Sequence, residues 1–181
     1  LVKIIQLQKY SALAGMMIYC LCMIGIYTFS SIYHGLRPGM AKKVFQVLDH
    51  CTIYFMIAGT YTPILVNAII PAYPVIGWGL LIGQWTLCGL SCILKAIDLR
   101  RFRVFSMISY IVMGWSIICF APQAIEAIGS TGFGYLLAGG IVYTLGAVLF
   151  AITIPWFHSV FHIFVVAGSV LQFISIYGYM L

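Results

Sequence analysis

The sequence predicts an all-α integral membrane protein, a polytopic bundle of transmembrane helices that forms a single domain over residues 1–181. Only 7% of the residues are charged and 64% are hydrophobic, with a mean hydropathy of +1.11. Soluble domains carry about 25% charged residues, so this chain lacks the polar side chains that would cover a surface in water. The second observation is a series of uncharged stretches of about 20 residues, the length that crosses a hydrocarbon core of about 30 Å.

Six such stretches are visible, and we name them spans A to F in chain order. They cover approximately residues 10–33, 47–67, 75–94, 104–120, 135–154 and 157–179. The loop 37–43 separates spans A and B, and the prolines of segment 71–74 are expected to turn the chain between spans B and C. Pro63 removes a backbone hydrogen bond from span B, where threonine hydroxyls compensate in part. Gly79 and Gly83 in span C predict close approach of a neighbouring helix.

The last three spans are bounded by the same kinds of residue. The loop 95–103, which contains four bases and one acid, precedes span D, and Ala121-Pro122 is expected to end that span. Segment 129–134, composed mainly of glycine, serine and threonine, is predicted to be the loop before span E. Pro155 divides span E from span F.

The basic residues predict the orientation of the chain, because cytoplasmic loops are enriched in lysine and arginine. The A–B, C–D and E–F loops share one side of the membrane and hold seven bases, against two on the other side. The seven are Arg37, Lys42, Lys43, Lys95, Arg100, Arg101 and Arg103. These loops are therefore expected in the cytoplasm, with both visible termini outside. Their charge suits anionic lipid headgroups as partners, and no nucleic acid is expected.

Six cysteines lie in or at the edges of the apolar stretches and form no disulfide framework of the kind found in small secreted domains. Reduced, buried thiols are the expectation. Cys88 and Cys92, four residues apart, could chelate an ion from one helix face, but no nearby histidine or acid supports such a site.

Polar residues that could carry chemistry gather at the predicted cytoplasmic side. His158 and His162 begin span F, and their spacing of four places both on one helix face, where a pair can chelate a single ion. His34 ends span A, with Ser30 one turn deeper, and Asp49 lies near the start of span B. At a rise of 1.5 Å per residue, all five lie about 5 to 11 Å inside the membrane edge.

This narrow band of depth predicts a metal site. An ionisable residue inside a span is costly unless it is paired, so a functional role is its first interpretation. Neutral imidazoles of His34, His158 and His162 would leave the fourth position of a tetrahedral zinc ion open for water, as in catalytic zinc sites. Zinc lowers the pKa of bound water to about 7, and Asp49 would accept the proton. Ser30 could hydrogen-bond a substrate carbonyl or orient a ligand.

The alternative interpretation of each histidine alone is structural, because histidines at the membrane interface also extend to the surface or cap a helix end. His50 follows Asp49 directly and points about 100° away from it on a helix, so it is left out of the predicted site. The tyrosine and tryptophan residues of the spans are expected to pack or to form interfacial belts.

Several motifs occur in order along the chain. They are Ser30-x3-His34, then Leu48-Asp49-His50-x3-Tyr54 with Ile57-Ala58-Gly59-Thr60-Tyr61-Thr62-Pro63, then Gly114-Trp115, Leu137-Ala138-Gly139-Gly140-x2-Tyr143-x2-Gly146 and His158-x3-His162. Together they resemble the hemolysin III family over essentially the whole chain. That family is the bacterial branch of the progestin and adiponectin receptor (PAQR) superfamily and is related more distantly to alkaline ceramidases.

The resemblance implies a seven-helix fold in a bacterial plasma membrane, with zinc near the cytoplasmic leaflet. The family's three zinc-binding histidines match His34, His158 and His162. Asp49 matches the aspartate that reaches zinc through a water in the receptors, and Ser30 matches the family's serine. Hydrolysis of lipid amides such as ceramides is also implied. The family usually has another span before the helix of the Ser-x3-His motif, and this chain begins too late to contain it, so that span is expected to be missing.

Three functional hypotheses follow. The first is a zinc-dependent hydrolase of the amide or ester of a membrane lipid. The second is a receptor-like or regulatory membrane protein with a structural zinc and no turnover. The third is a pore-forming haemolysin, which is disfavoured because no amphipathic helix with a charged stripe is visible. A transporter is disfavoured because no ionisable group lies near the bilayer midplane.

Overall fold

The computed structural model describes residues 10–151 and 155–179, and within these ranges it contains helices and no strand. The main helices of this part are α1 (Tyr10–Gly35), α2 (Met40–Ile64), α3 (Pro74–Ile97), α4 (Arg103–Trp115), α5 (Ala121–Ala151) and α6 (Pro155–Tyr179). A π-helical segment, Leu65–Ile69, and a short helical turn, Ile70–Ala72, continue α2. A 3₁₀ segment, Ser116–Phe120, joins α4 to α5. The all-α prediction is confirmed for these residues.

Five helical stretches in the described part of the chain are long and apolar enough to cross a membrane. They are Tyr10–Gly35, Met40–Ala72, Pro74–Ile97, Arg103–Phe150 and Val160–Tyr179. The prediction of an integral membrane protein is thereby confirmed. Predicted span D and residues 135–150 of predicted span E lie in the fourth stretch, which has 48 residues. As a straight helix it would extend about 72 Å, more than twice the thickness of the hydrocarbon core.

This long stretch is interrupted at Gly129, whose φ of 75° and ψ of 160° lie outside the helical region. Glycine adopts a positive φ without the steric cost that a Cβ imposes, so one residue is enough to break the helix. The predicted loop 129–134 is correct at Gly129 and wrong from residue 130 onward, where the chain is again helical. In lipid, a helix pairs the backbone polar groups that an open loop would leave without partners.

Prolines mark the other boundaries. Tyr73, at φ −134° and ψ 69°, interrupts the helix between Ala72 and Pro74, which confirms a turn within segment 71–74. Pro122 lies in the first turn of α5, where its missing N–H costs no helical hydrogen bond. The 3₁₀ segment ends at Phe120 and α5 begins at Ala121, so an element boundary lies where span D is expected to end, although the helical run continues through it. The described part of α6 begins at Pro155, and the predicted division before it falls on residues 152–154, which lie outside the described residues.

The turn between α3 and α4 is shorter than predicted, because Lys95 lies within α3 and is only 4% exposed. The turn begins at Asp98, whose carboxylate accepts hydrogen bonds from the backbone N–H of Arg101 at 3.0 Å and of Arg100 at 2.8 Å. These bonds favour the charged carboxylate and lower the pKa of Asp98 below its ordinary value, with the Arg101 bond the larger cause.

The chain divides into two compact units, Leu1–Ser116 and Ile117–Leu181. The first unit contains α1 to α4, and the second contains α5 and α6. In the first unit α2 is central, since it packs against α1, α3 and α4. In the second unit α5 packs against α6. The single domain inferred from the sequence stays a prediction.

Small residues allow α1 and α2 to approach closely. A Cβ added at Gly59 would lie 2.7 Å from Cys22 Sγ, and one added at Gly15 would lie 3.0 Å from Pro63 Cα. The distance at Gly59 is shorter than a real Cβ contact and the distance at Gly15 is tighter than most of them, so a larger residue at either position requires the neighbouring atoms to move. This packing sets the register between α1, which carries Ser30 and His34, and α2, which carries Asp49.

The motif that follows Gly59 joins α2 to α3 and α4 through side-chain hydrogen bonds. Tyr61 OH donates to the backbone carbonyl of Gly114 in α4 at 3.0 Å. Thr62 Oγ1 donates to the carbonyl of Ala58 at 2.8 Å and accepts from Trp85 Nε1 of α3 at 3.1 Å. The motif Ile57–Pro63 of the family resemblance therefore positions α3 and α4 against α2. Gly114, another residue of the resemblance, accepts one of these hydrogen bonds through its backbone carbonyl.

The second unit has the same kind of close contact between α5 and α6. A Cβ at Gly139 would lie 3.2 Å from the carbonyl oxygen of Gly168. The hydroxyls of Tyr143 and Ser169 are hydrogen-bonded at 2.7 Å. Ser175 Oγ donates to the carbonyl of Gly132 at 2.7 Å. These contacts hold α6, the helix that contains His158 and His162, in one register against α5.

We expect Gly59→Ala to destabilise the protein by about 1–3 kcal/mol, because the added methyl group overpacks the contact with Cys22. Gly79→Ala is the matched control. Within the first compact unit nothing lies within 4 Å of a Cβ at Gly79 or Gly83, so the helices of that unit do not form the close packing predicted at this pair. Alanine at position 79 should leave stability unchanged or raise it slightly. Thermal unfolding in detergent measures both; equal midpoints would contradict the close α1–α2 contact.

Candidate metal centre

The first part of the predicted site lies at the end of α1. Ser30 and His34 are four residues apart on this helix, so the two positions share a face. Ser30 is half-buried, and His34 is exposed, with its ring centroid 4.7 Å from that of Tyr33. Helix α1 ends at Gly35, so the imidazole stands beside the turn that leads into α2.

Helical spacing places Asp49 on the same side of α2 as the residues that contact α1. Contacts to α1 are made by Phe45 near the turn, where its ring centroid is 6.1 Å from that of Phe29, and by Gly59 farther along. Steps of three and four residues lead from Phe45 through Asp49 to Gly59 and so follow one helix face. The Asp49 side chain is 17% exposed, which fits a position between two helices.

The pairing of α1 with α2 also sets the depth of Asp49. The aromatic contact near the turn and the Gly59 contact deeper in the pair align two antiparallel helices that have the same rise per residue. Asp49 therefore lies within about one helical turn of Ser30 along the axis of the pair. Within the first unit, Ser30, His34 and Asp49 thus occupy one end of the α1–α2 pair.

His50 was not among the predicted site residues, but the structure places it beside Asp49. His50 Nδ1 lies 3.9 Å from Asp49 Oδ2 and donates a hydrogen bond to the backbone carbonyl of Gln46 at 2.7 Å. The backbone here is held by Thr52 Oγ1, which donates to the carbonyl of Asp49 at 2.7 Å, and by Tyr110 OH, which donates to that of His50 at 3.1 Å. Successive helical residues diverge by about 100°, so spacing alone gave no signal for this contact.

The other two predicted ligands belong to the second unit. His158 and His162 are positions i and i+4 of α6, so the helix places them on one face. His162 is half-buried, and its ring centroid is 5.5 Å from that of Phe161. The side chain of His158 lies outside the described residues. Among the side chains that are described, no three of histidine, cysteine, aspartate and glutamate are grouped as metal ligands. The three-histidine centre stays a prediction.

The six cysteines are free thiols. Cys51 and Cys92 face each other across α2 and α3, with each Sγ 3.9 Å from the backbone carbonyl oxygen of the other residue. Cys119 is exposed, so the expectation of burial is wrong at this position. An exposed thiol is accommodated there because the surface of a membrane helix faces lipid rather than water.

Comparison with known proteins gives consistent matches along the whole chain. Residues 1–173 match the family described as Haemolysin-III related. The chain is 38% identical over 185 residues to Hemolysin-3 of Bacillus cereus, which covers 100% of this chain and 83% of the relative. It is 32% identical over 163 residues to the Hemolysin-3 homolog of Bacillus subtilis (strain 168), 90% of this chain and 75% of the relative. The human Monocyte to macrophage differentiation factor is 24% identical over 174 residues, 90% of this chain and 69% of the relative. No solved structure matches.

Proposed function

Because this chain belongs to the haemolysin-III related family, within the progestin and adiponectin receptor superfamily, we propose that it is a membrane-embedded zinc hydrolase. The substrate would be the amide or ester of a membrane lipid, of the ceramide kind, that enters the site from the bilayer. The family membership itself was predicted from the ordered motifs and is confirmed. The activity is the part that we propose.

The proposal includes a topology of six membrane crossings in one domain. The stretch Arg103–Phe150 would cross twice, with the break at Gly129 between the two crossings. The loops that follow α1, α3 and α5 would lie in the cytoplasm, because seven of the nine bases are on that side. The C-terminus would then lie outside.

The position of Asp49 is the observation that carries the proposal. Its carboxylate is 17% exposed on the face of α2 that meets α1, within about a turn of Ser30, and His34 follows Ser30 by one turn. A carboxylate between two membrane helices is costly unless a nearby cation or a proton-transfer role accounts for it. Neutral imidazoles with an oxygen ligand are a donor set that zinc accepts, so the residues fit this ion.

Each of the predicted site residues would have a separate role in hydrolysis. His34, His158 and His162 would hold the ion through their neutral imidazole nitrogens. A zinc ion, when bound, would lower the pKa of a water molecule and polarise an acyl carbonyl. Asp49 would accept the proton from the attacking water and then return it to the leaving amine or alcohol. Ser30, one turn deeper than His34, would donate a hydrogen bond to the substrate carbonyl and orient it.

Hydrolysis of a fluorescent ceramide by the purified chain in lipid nanodiscs tests the proposal. We expect turnover that falls at least about 100-fold when a chelator removes zinc and returns when zinc is restored, because the ion contributes several kcal/mol to the transition state. Magnesium added instead of zinc should not restore the rate. Zinc bound without cleavage of any acyl lipid would support the receptor-like alternative, and release of dye from loaded vesicles would support pore formation.

A further inference from the structure

A cavity of about 210 Å³ lies beside the turn between α1 and α2, at the end of the pair that holds Asp49. It is lined by Tyr33, Pro38, Gly39, Lys42, Lys43 and Gln46. Two of these side chains are cationic and one is a neutral amide, whereas none of the six is acidic. The cavity therefore suits an anionic group.

The two lysines contribute to the cavity in different ways. Lys42 Nζ donates to the backbone carbonyl of Leu36 at 2.8 Å and lies 5.3 Å from the centroid of the Tyr33 ring. These contacts hold one ammonium group in the cavity wall, and the carbonyl takes one of its three N–H donors. Lys43 is exposed and adds a second charge at the rim. A phosphate group has several acceptor oxygens that two ammonium groups can share.

We propose that this cavity binds the phosphate group of an anionic membrane lipid. Apolar side chains on the same end of α2 are exposed, with Met40 at 76% and Val44 at 51% exposure. Such side chains beside a cationic cavity suit a ligand that has both a charged headgroup and acyl chains, and a free phosphate ion would gain nothing from them.

On both helices, residues that line the cavity are neighbours of residues of the candidate metal centre. Gln46, which lines it, accepts through its backbone carbonyl the hydrogen bond of His50 Nδ1. On the other wall, the Tyr33 ring lies against that of His34. Asp49 is three residues beyond Gln46, about 4.5 Å deeper. A lipid anchored by its phosphate would thus extend its acyl carbonyls toward Asp49, so an anionic phospholipid would be a substrate beside the ceramide-like lipids of the proposed function. The assignment of a substrate rests on the proposed function, whereas the binding of a lipid phosphate in the cavity does not.

Native mass spectrometry of the full chain, released from nanodiscs that contain phosphatidylglycerol and phosphatidylcholine in equal amounts, tests the binding. We expect the protein to retain one phosphatidylglycerol molecule in preference to phosphatidylcholine. Lys42→Gln with Lys43→Gln should weaken this retention at least about tenfold, since each base near a membrane surface contributes a factor of about five. The matched control is Arg100→Gln with Arg101→Gln, which removes the same charge from another loop on the same predicted side and should retain the lipid.

Other outcomes would overturn the proposal. Equal loss in the two double variants would indicate a general effect of charge, and equal retention of phosphatidylcholine would exclude an anionic preference. Displacement of the lipid by millimolar inorganic phosphate would assign the cavity to a free ion. Because Lys42 also holds the turn through Leu36, Lys43→Glu is measured as well; this exposed position leaves the fold intact, and the variant must also lose the lipid. Lipid binding without hydrolysis would count against the proposed function alone.

Discussion

Replacing Asp49 with Asn is expected to lower the hydrolysis of a ceramide at least about 100-fold while the zinc content of the protein stays the same. Proton transfer by a positioned side chain contributes about 10²- to 10⁴-fold to a rate. Asparagine keeps the shape of aspartate, so the packing between α1 and α2 is preserved, but it does not accept the proton. The loss should appear in kcat rather than in KM, because the carboxylate is needed for the chemical step.

The matched control for this variant is Glu126→Gln, which removes an exposed carboxylate of α5 and should keep full activity. Product release by fluorescence and zinc content by elemental analysis are measured on the same samples. Activity that survives Asp49→Asn would remove Asp49 from the mechanism. His50 would then be the next candidate for proton transfer, since its Nδ1 lies 3.9 Å from the carboxylate of Asp49.

Hydropathy predicted most of the fold because the membrane imposes strong conditions on sequence. A stretch that crosses lipid must be apolar and helical, so the described residues of each predicted span are helical and the turn at Tyr73 was found. Composition failed where it was used to predict loops. Residues 130–134 are rich in loop formers, yet they are helical, because a loop in lipid would leave backbone groups unpaired.

Pairwise packing was harder to predict than the helices. The glycine spacing at Gly79 and Gly83 gave the same signal as a helix contact, but the contacts form at Gly15 and Gly59 instead. A small residue permits close approach of another helix but does not specify which helix packs against it. Lys95 was assigned to a loop for its charge, although its long apolar stem lets it lie within α3.

Helix periodicity accounts for the part of the candidate site that lies in one unit. The spacing of Ser30 and His34 along α1, and the match in depth with Asp49, follow from the rise per residue. The contact of His50 with Asp49 could not be predicted from the helix periodicity, because it depends on the side-chain conformation in which the imidazole is hydrogen-bonded to the carbonyl of Gln46. Distances between ligands from different units depend on tertiary arrangement, which no periodicity within a helix defines.

His158→Ala with His162→Ala is expected to abolish zinc binding, with the zinc-to-protein ratio falling from about one to near zero. The two residues are the i and i+4 positions of α6 and would supply two of three nitrogens, so the remaining imidazole could not hold the ion alone. The wild-type protein should also lose thermal stability in a chelator, because an ion bound only by the folded state stabilises it. The double variant should not respond to the chelator.

His50→Ala is the control that separates ligands from other histidines, and it should keep its zinc because His50 is outside the predicted ligand set. Absence of zinc from the wild-type protein, or its persistence in the double variant, would refute the proposed centre. His34→Ala then decides how the centre is built. Loss of zinc in this variant, with zinc retained in His50→Ala, would mean that histidines of both compact units bind the same ion, since His34 belongs to the first unit and His162 to the second.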